Sequence, residues 1–395
     1  MEVPKSMPGL VVDRGLEGVN VGETVLSNVE GEIGRLTFRG YDIDDLAPKA
    51  TYEEVVSLML YGKLPTAADL AALEAKLSSL RALPDATLAL MRALPRDAWP
   101  MDVLRTAVSS LSLPLPHKPS GVHVSDVDAA LSLVAKTTTI VAAWDRLRQG
   151  LDPIAPHPKL GTAANFLYMK TGKEPTADNA KALDQYYVLL VDHGYNASTF
   201  SARVTASTNA DLYCAVTAAL ATLTGELHGG APSQVQDALV DVGTAANAEP
   251  WVRALIKRKG RLMGMGHREY KVRDPRAKHL EETAKRLNNG GGSYAIARAL
   301  EDAWNKVIAE EKPQARIFAN VDFYTAPALG ALGITSDEYT CMFACSRMAG
   351  WCAHVLEQYA NNRLIRPQVT YTGPEVHPFE PIAERGREPA GSART

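Results

Sequence analysis

The chain has 395 residues, of which 46% are apolar and 22% charged, and a formal net charge of −3. That is ample material for a buried core, as one large domain or as two to three ordinary ones. The mild acidity argues against nucleic acid as the main partner, because phosphate backbones demand a basic face. Cys214, Cys341, Cys345 and Cys352 form no paired framework in a chain this long, so reduced thiols in a cytoplasmic protein are expected.

Residues 1–10 contain two prolines and no apolar run, so no secretory signal is expected there. Residues 16–46 read as short strands and turns. Thr24-Val25-Leu26 and Leu36-Thr37-Phe38 flank the turn-rich Asn28-Val29-Glu30-Gly31, which predicts a hairpin. From Thr51 the texture is helical: Thr51-Tyr52-Glu53-Glu54 is a capping box, and Leu64-Pro65-Thr66 ends that run and caps the next. Ala- and Leu-rich segments continue to about residue 148, broken near Pro95, Pro114 and Pro116. Residues 152–158, with three prolines, form a connection, and Thr176 or Asp178 opens a helix running to about His193. The Ala, Thr and Ser of residues 204–227 permit close helix approach, as in a buried helix or a subunit contact. A second capping box, Thr335-Ser336-Asp337-Glu338, starts a long helix ending near Tyr359. Its portion 339–356 holds Arg347 and His354 among small residues, a poor membrane span and a good buried helix. The tail from Pro374 is rich in Pro, Gly and charge, and is expected to be mobile unless tied down.

The most informative stretch is residues 257–278. It concentrates Lys and Arg around Gly260, Gly264 and Gly266, where the absence of a Cβ lets backbone approach a ligand. His267 follows the last of these glycines. Such a loop in an acidic chain reads as a holder for a multiply anionic small molecule. Solvated surface accounts for the lysines but not for the alternation of glycine with methionine.

Other segments carry chemistry. In Asp192-His193-Gly194-Tyr195-Asn196-Ala197-Ser198-Thr199-Phe200, His193 closes one helix before another opens, where it could simply complement a helix dipole. In Gly225-Glu226-Leu227-His228-Gly229-Gly230-Ala231-Pro232, His228 precedes two glycines, and capping of the preceding helix is the competing explanation. In Ala319-Asn320-Val321-Asp322-Phe323-Tyr324, an apolar lead-in presents Asp322. Its carboxyl is raised in pKa there unless paired, as general bases are, and an N-cap role is the plainer alternative. Arg347 has no acidic residue within one helical turn, so if buried it needs an anion from elsewhere in the chain or from a ligand.

Taken together the segments resemble the citrate synthase family. Its signature appears in order as His228-Gly229-Gly230, Gly264-Met265-Gly266-His267, Asp274-Pro275-Arg276, Asn320-Val321-Asp322-Phe323-Tyr324, Ser346-Arg347-Met348-Ala349-Gly350-Trp351 and Ile365-Arg366-Pro367. Each motif alone is weak; six in sequence are specific, and the likeness runs from about Gly15 through Pro374.

The resemblance implies an all-α fold with a small β element near the N-terminus. It also implies a large helical domain, residues 1–223 and 329–395, around a smaller inserted one, residues 224–328, the two closing about Gly229 and Gly230. The implied reaction condenses acetyl-CoA with oxaloacetate and hydrolyses the thioester to citrate and CoA, without a permanently bound cofactor or metal. Asp322 would take the methyl proton, His228 would stabilise the enolate, and His267 would polarise the ketone. His193, Arg276, Arg347 and Arg366 would hold oxaloacetate, Arg366 reaching across a homodimer whose contact uses helices in 204–223 and 336–359. Leu262, Met263, Gly264, Met265 and Gly266 would cradle CoA, with Arg268 or Lys271 at its phosphates. Gln368 stands where many relatives carry a second arginine, which bears on a peripheral anion contact. With family-like sequence starting near Gly15, no NADH-type control is expected, and a dimer rather than a hexamer.

Three other readings stay open. 2-Methylcitrate synthase uses the same mechanism on propionyl-CoA, and one methylene is worth only about 1–3 kcal/mol in a pocket. A metallohydrolase built on His193, His228, His267 and Asp322 lacks the i, i+4 spacing of helical ligands. A non-catalytic binding protein of the same fold sits poorly with intact His228, His267 and Asp322.

Overall fold

The structure, a computed structural model, describes residues 15–385 apart from residues 17, 117, 119–122 and 384. The leader and much of the tail considered above therefore lie outside the described residues. Residues 24–365 form one compact unit, and the chain ends group separately. Within the larger unit, strands β1 (Ser27–Glu30), β2 (Arg35–Phe38) and β3 (Tyr41–Asp42) make an antiparallel sheet in the order β1-β2-β3. Sixteen α-helices follow among the described residues. The first eight are α1 (Ile43–Lys49), α2 (Tyr52–Tyr61), α3 (Ala67–Leu80), α4 (Asp85–Ala93), α5 (Pro100–Ser110), α6 (Val127–Arg148), α7 (Thr162–Thr171) and α8 (Ala177–Leu190). Next come α9 (Ala197–Ser207), α10 (Leu212–Leu223), α11 (Ala231–Val242), α12 (Ala248–Lys257) and α13 (Pro275–Leu287). The last are α14 (Gly292–Glu311), α15 (Val321–Ala331) and α16 (Tyr339–Ala360). The all-α fold with its small β element is as the sequence predicts.

Both capping boxes form. Thr51 caps α2 with Glu54 closing the box, and Thr335 with Glu338 opens a 3-10 turn that runs into α16. Thr66 caps α3 with Asp69 as its partner, and Thr176 caps α8. Each box satisfies two backbone N–H groups that a helix start otherwise leaves open.

Two expectations need correction. The hairpin pairs Asn28 with Thr37 and Val29 with Leu36, so Asn28 to Glu30 is strand rather than turn, and residues 24–26 precede the strand, the Leu26 carbonyl accepting from the Arg39 N–H at 2.9 Å. The turn lies between Gly31 and Gly34, where Gly34 takes φ +68°, a conformation glycine adopts without steric cost. Residues 204–227 are not one helix. Asn209 at φ +64° breaks the run, and Asp211 starts α10 by accepting a hydrogen bond from the Cys214 N–H.

Helix α16 lies at the centre of the large unit, packing on α2, α6, α8, α9 and α10. Most of its side chains are buried. Gly350 makes this possible: a Cβ there would overlap the Val191 carbonyl just after α8. Helix α6 is long and apolar enough to cross a bilayer by composition, yet its side chains are mostly buried in the core. Its Asp145 pairs with Lys170 at 2.8 Å, and Lys170 also pairs with Glu338. Helices α11 to α15 pack chiefly on one another, with α12 on α14 and both α11 and α13 on α15.

Candidate active site

His193 follows the end of α8 by three residues, in a bend held from both sides. Asp192 is fully buried. Its carboxylate accepts from the Ser27 hydroxyl at 2.5 Å and pairs with His354 of α16 at 3.1 Å. Burial alone would raise the Asp192 carboxyl; His354 and Arg347 more than offset this and hold it low. Asn196 then caps α9 by accepting from the Thr199 N–H. The His193 ring, 8% exposed, lies 5.2 Å from the His267 ring and 3.1 Å from the Tyr270 hydroxyl. Burial, with Arg276 and His267 nearby, pushes its pKa well below the usual imidazole value.

The loop bearing His267 is bolted to the start of α15. The Gly266 N–H donates to the Phe318 carbonyl at 2.7 Å, and the Asn320 N–H to the Gly264 carbonyl at 2.9 Å. Gly264 takes φ +77°, and a Cβ on it would stand 2.9 Å from the Phe323 Cα, so this backbone path requires glycine. His267 Nδ1 accepts from the N–H groups of Glu269 and Tyr270, at 3.0 and 3.2 Å. Backbone N–H groups only donate, so the ring proton is on Nε2. Burial brings this histidine to about 4, with Arg276 and Lys271 adding to the effect and Asp274 opposing it. A neutral Nε2–H donor results.

His228 shows the same logic with the nitrogens exchanged. Its Nε2 accepts from the Ser198 N–H at 3.3 Å and lies 2.8 Å from the Ser198 hydroxyl, which Trp351 of α16 also contacts. The proton therefore sits on Nδ1. Burial and Arg347 push the ring to about 4, again a neutral donor. The following Gly229 is closely packed: its carbonyl accepts from the Thr340 hydroxyl at 2.7 Å, and a Cβ would meet Leu223 and Thr340.

Asp322 lies in the first turn of α15, but the N-cap is Asn320, whose side chain accepts from the Asp322 N–H at 2.9 Å. The N-cap explanation for Asp322 is thereby replaced. Asn320 Nδ2 also donates to the Gly266 carbonyl at 2.8 Å, so one amide ties the Asp322 and His267 segments together. Among the described residues the Asp322 carboxylate has no hydrogen-bond partner. Burial and Asp274 raise it to about 7 against the pull of Arg276 and Arg347.

The two arginines differ. Arg276, 2% exposed, gives Nε and Nη2 to Asp274 at 3.0 and 2.7 Å, leaving Nη1 uncommitted. Arg347, 1% exposed, donates only Nε, to the Leu190 carbonyl at 2.7 Å, and stacks on Phe343 at 4.6 Å. Among the described residues no carboxylate lies within ion-pair distance of it. Burial drops its pKa to about 10. A buried guanidinium with open donors is costly unless an anion binds there.

His193, His228, His267, Arg276, Arg347 and Asp322 are thus linked through shared partners and mutual electrostatics. The three reactive candidates, His228, His267 and Asp322, are half-buried, while both arginines are sealed. Of the remaining candidates, Leu262 and Gly264 are buried, Met263, Met265, Gly266 and Lys271 half-buried, and Arg268 exposed. Leu262 and Met263 line a cavity of ≈ 340 Å³ with Trp251, Arg258 and Arg261. Arg366 is exposed and belongs to the chain-end unit. Sequence reasoning missed Ser198, Tyr270, Asp274 and Asn320 as partners. Their signal was their place inside motifs already noticed, between one and five residues from a candidate.

The family description "Citrate synthase, C-terminal domain" matches residues 15–368. A citrate synthase of Haloferax volcanii is 45% identical, covering 94% of this chain and 98% of its own length. A 2-methylcitrate synthase of Mycobacterium tuberculosis is 39% identical, covering 94% of each. Among solved structures, citrate synthase of Thermoplasma acidophilum in ternary complex with carboxymethyl coenzyme A and oxaloacetate is 32% identical. It superposes with a TM-score of 0.87 over 95% of this chain and 100% of that one.

Proposed function

The chain belongs to the citrate synthase family, and we propose that the six linked residues carry out its reaction in the roles that follow. The enzyme condenses acetyl-CoA with oxaloacetate and hydrolyses the resulting thioester to citrate and CoA.

Asp322, ionised, takes a proton from the thioester methyl group. That methyl is a weak carbon acid, so the enolate oxygen must be stabilised as it forms. His228 Nδ1–H supplies the hydrogen bond, a contribution of about 10²–10³ in rate for one such donor. The enolate carbon then attacks the ketone carbon of oxaloacetate, while His267 Nε2–H stabilises the oxygen that gains charge. Both histidines are neutral, so they donate without the solvation demand of imidazolium. Water finally cleaves the thioester, releasing CoA.

The observation that carries this reading is Arg347: sealed from solvent, bonded to one carbonyl and lacking a carboxylate. A dicarboxylate substrate supplies the missing anion. Nη1 of Arg276 and the His193 ring supply further contacts, and bidentate arginine–carboxylate pairing orients as well as binds. Arg366 completes the set from the partner of a homodimer built on the half-exposed faces of α9 and α10; α16, expected from the sequence to share that contact, is buried within its own chain instead. Helices α11 to α15 support a smaller lobe, residues 224–328, moving on Gly229 and Gly230 to exclude water. CoA lies along residues 262–266 with Arg268 or Lys271 at its phosphates, and the neighbouring cavity adds Arg258 and Arg261 to the cations in reach. The protein acts in the cytoplasm.

The test is release of free thiol from acetyl-CoA and from propionyl-CoA with oxaloacetate. A higher kcat/KM for acetyl-CoA is expected. Preference for propionyl-CoA would move the enzyme to the 2-methylcitrate branch, to which one of its relatives belongs. Absence of thiol release with either would overturn the reading.

A further inference from the structure

The geometry points to the β1–β2 hairpin as the positioning element of this site, gripping the segments that carry His193 and His267 at its two ends. At the strand end, the Ser27 hydroxyl donates to Asp192 at 2.5 Å and accepts from the Gly194 N–H at 2.9 Å. Those bonds bracket His193. Gly194 adopts φ +58° with its Cα facing Val29 and Ser27, the nearest atoms to a Cβ placed there at 3.9 and 4.0 Å. One hydroxyl therefore fixes the bend from which His193 projects.

At the turn end, the Gly31 carbonyl accepts from the Lys271 N–H at 3.0 Å. A Cβ on Gly31 would overlap the Glu269 carbonyl, and one on Gly34 would stand 2.7 Å from the Val272 side chain. The turn thus lies flat against residues 269–272, whose N–H groups at Glu269 and Tyr270 set the His267 tautomer. Arg316 adds a brace, donating Nε to the Lys271 carbonyl at 2.9 Å and pairing with Glu32 at 3.1 Å. Nothing in the hairpin belongs to the reacting set. It acts through the histidines: Ser27 sets where one ring points, and the Gly31 face sets the loop that orients the other. The two rings stand 5.2 Å apart and close on one ligand only if both segments keep their spacing, which the hairpin spans.

The inference rests on the proposed function for its kinetic readout but not for its structural one. In Ser27→Ala, KM for oxaloacetate rises about tenfold with kcat little changed, as expected for loss of a hydrogen bond to a buried carboxylate. Ser27→Thr, which keeps the hydroxyl, restores most of the affinity. In Gly31→Ala, amides of residues 267–273 exchange with deuterium at least about tenfold faster in the ligand-free enzyme, while exchange in α16 is unchanged. An unaltered KM in Ser27→Ala, or unaltered exchange at 267–273 in Gly31→Ala, would overturn the assignment. If the unmodified enzyme releases no CoA, the functional reading fails and the exchange result alone decides the hairpin's role.

Discussion

Replacing Asp322 with Asn separates what this carboxylate does for chemistry from what it costs the fold. The carboxyl is displaced from 3.8 to about 7, so the folded protein holds its proton more tightly than the unfolded chain. Stability from that proton is fully present below about pH 4 and is lost as pH rises towards 7. The displacement corresponds to up to about 4 kcal/mol at pH 8. Asn keeps the shape without the charge and removes the pH-dependent loss. At fixed protein concentration, urea unfolding should place the variant level with the parent at pH 4 and above it by as much as this figure at pH 8. Turnover should fall by at least the 10²–10⁴-fold or so typical of a lost general base, with oxaloacetate binding still measurable by calorimetry. A stability difference that stays flat between pH 4 and 8, or turnover within tenfold of the parent, would refute the argument.

Two further outcomes follow from the same geometry. The acid limb of kcat/KM should have its midpoint near 7, set by Asp322, because His228 and His267 at about 4 stay neutral across that range; rate measurements from pH 5.5 to 8.5 locate it, and a midpoint below 5 contradicts it. Gly350→Ala should lower the urea midpoint by the equivalent of about 1–3 kcal/mol and raise KM for oxaloacetate, because the added methyl displaces Val191, two residues before His193; unchanged stability would mean that α16 and α8 can separate freely.

Local signals served the sequence reading well wherever one side chain answers a neighbour. Thr51 with Glu54 and Thr335 with Glu338 mark helix starts that the structure confirms. The glycines at 264 and 266 do take the positive φ values that only glycine adopts readily. Long-range pairing was not legible in the same way. Nothing around Ser27 announces Asp192, 165 residues away, and nothing around Arg347 shows that its nearest carboxylates stay beyond ion-pair reach. Arg276 was expected to help hold oxaloacetate, and nothing in the sequence showed that Asp274 occupies two of its nitrogens. Residues 24–30 misled because Val25 has the β-branched character of a strand, but pairing is decided by which residues can alternate Leu36 and Phe38 into the core.

Helix α16 sets a limit on how this chain can diverge. Arg347, Trp351 and His354 lie four and three residues apart on one stripe, and each answers a different part of the site: the open guanidinium, the Ser198 hydroxyl and the Asp192 carboxylate. One inserted or deleted codon between Tyr339 and Arg347 would turn all three by about 100° at a stroke. Descendants of this gene can therefore exchange residues along the helix but cannot change its length upstream of Arg347, and insertions should accumulate in the connections instead.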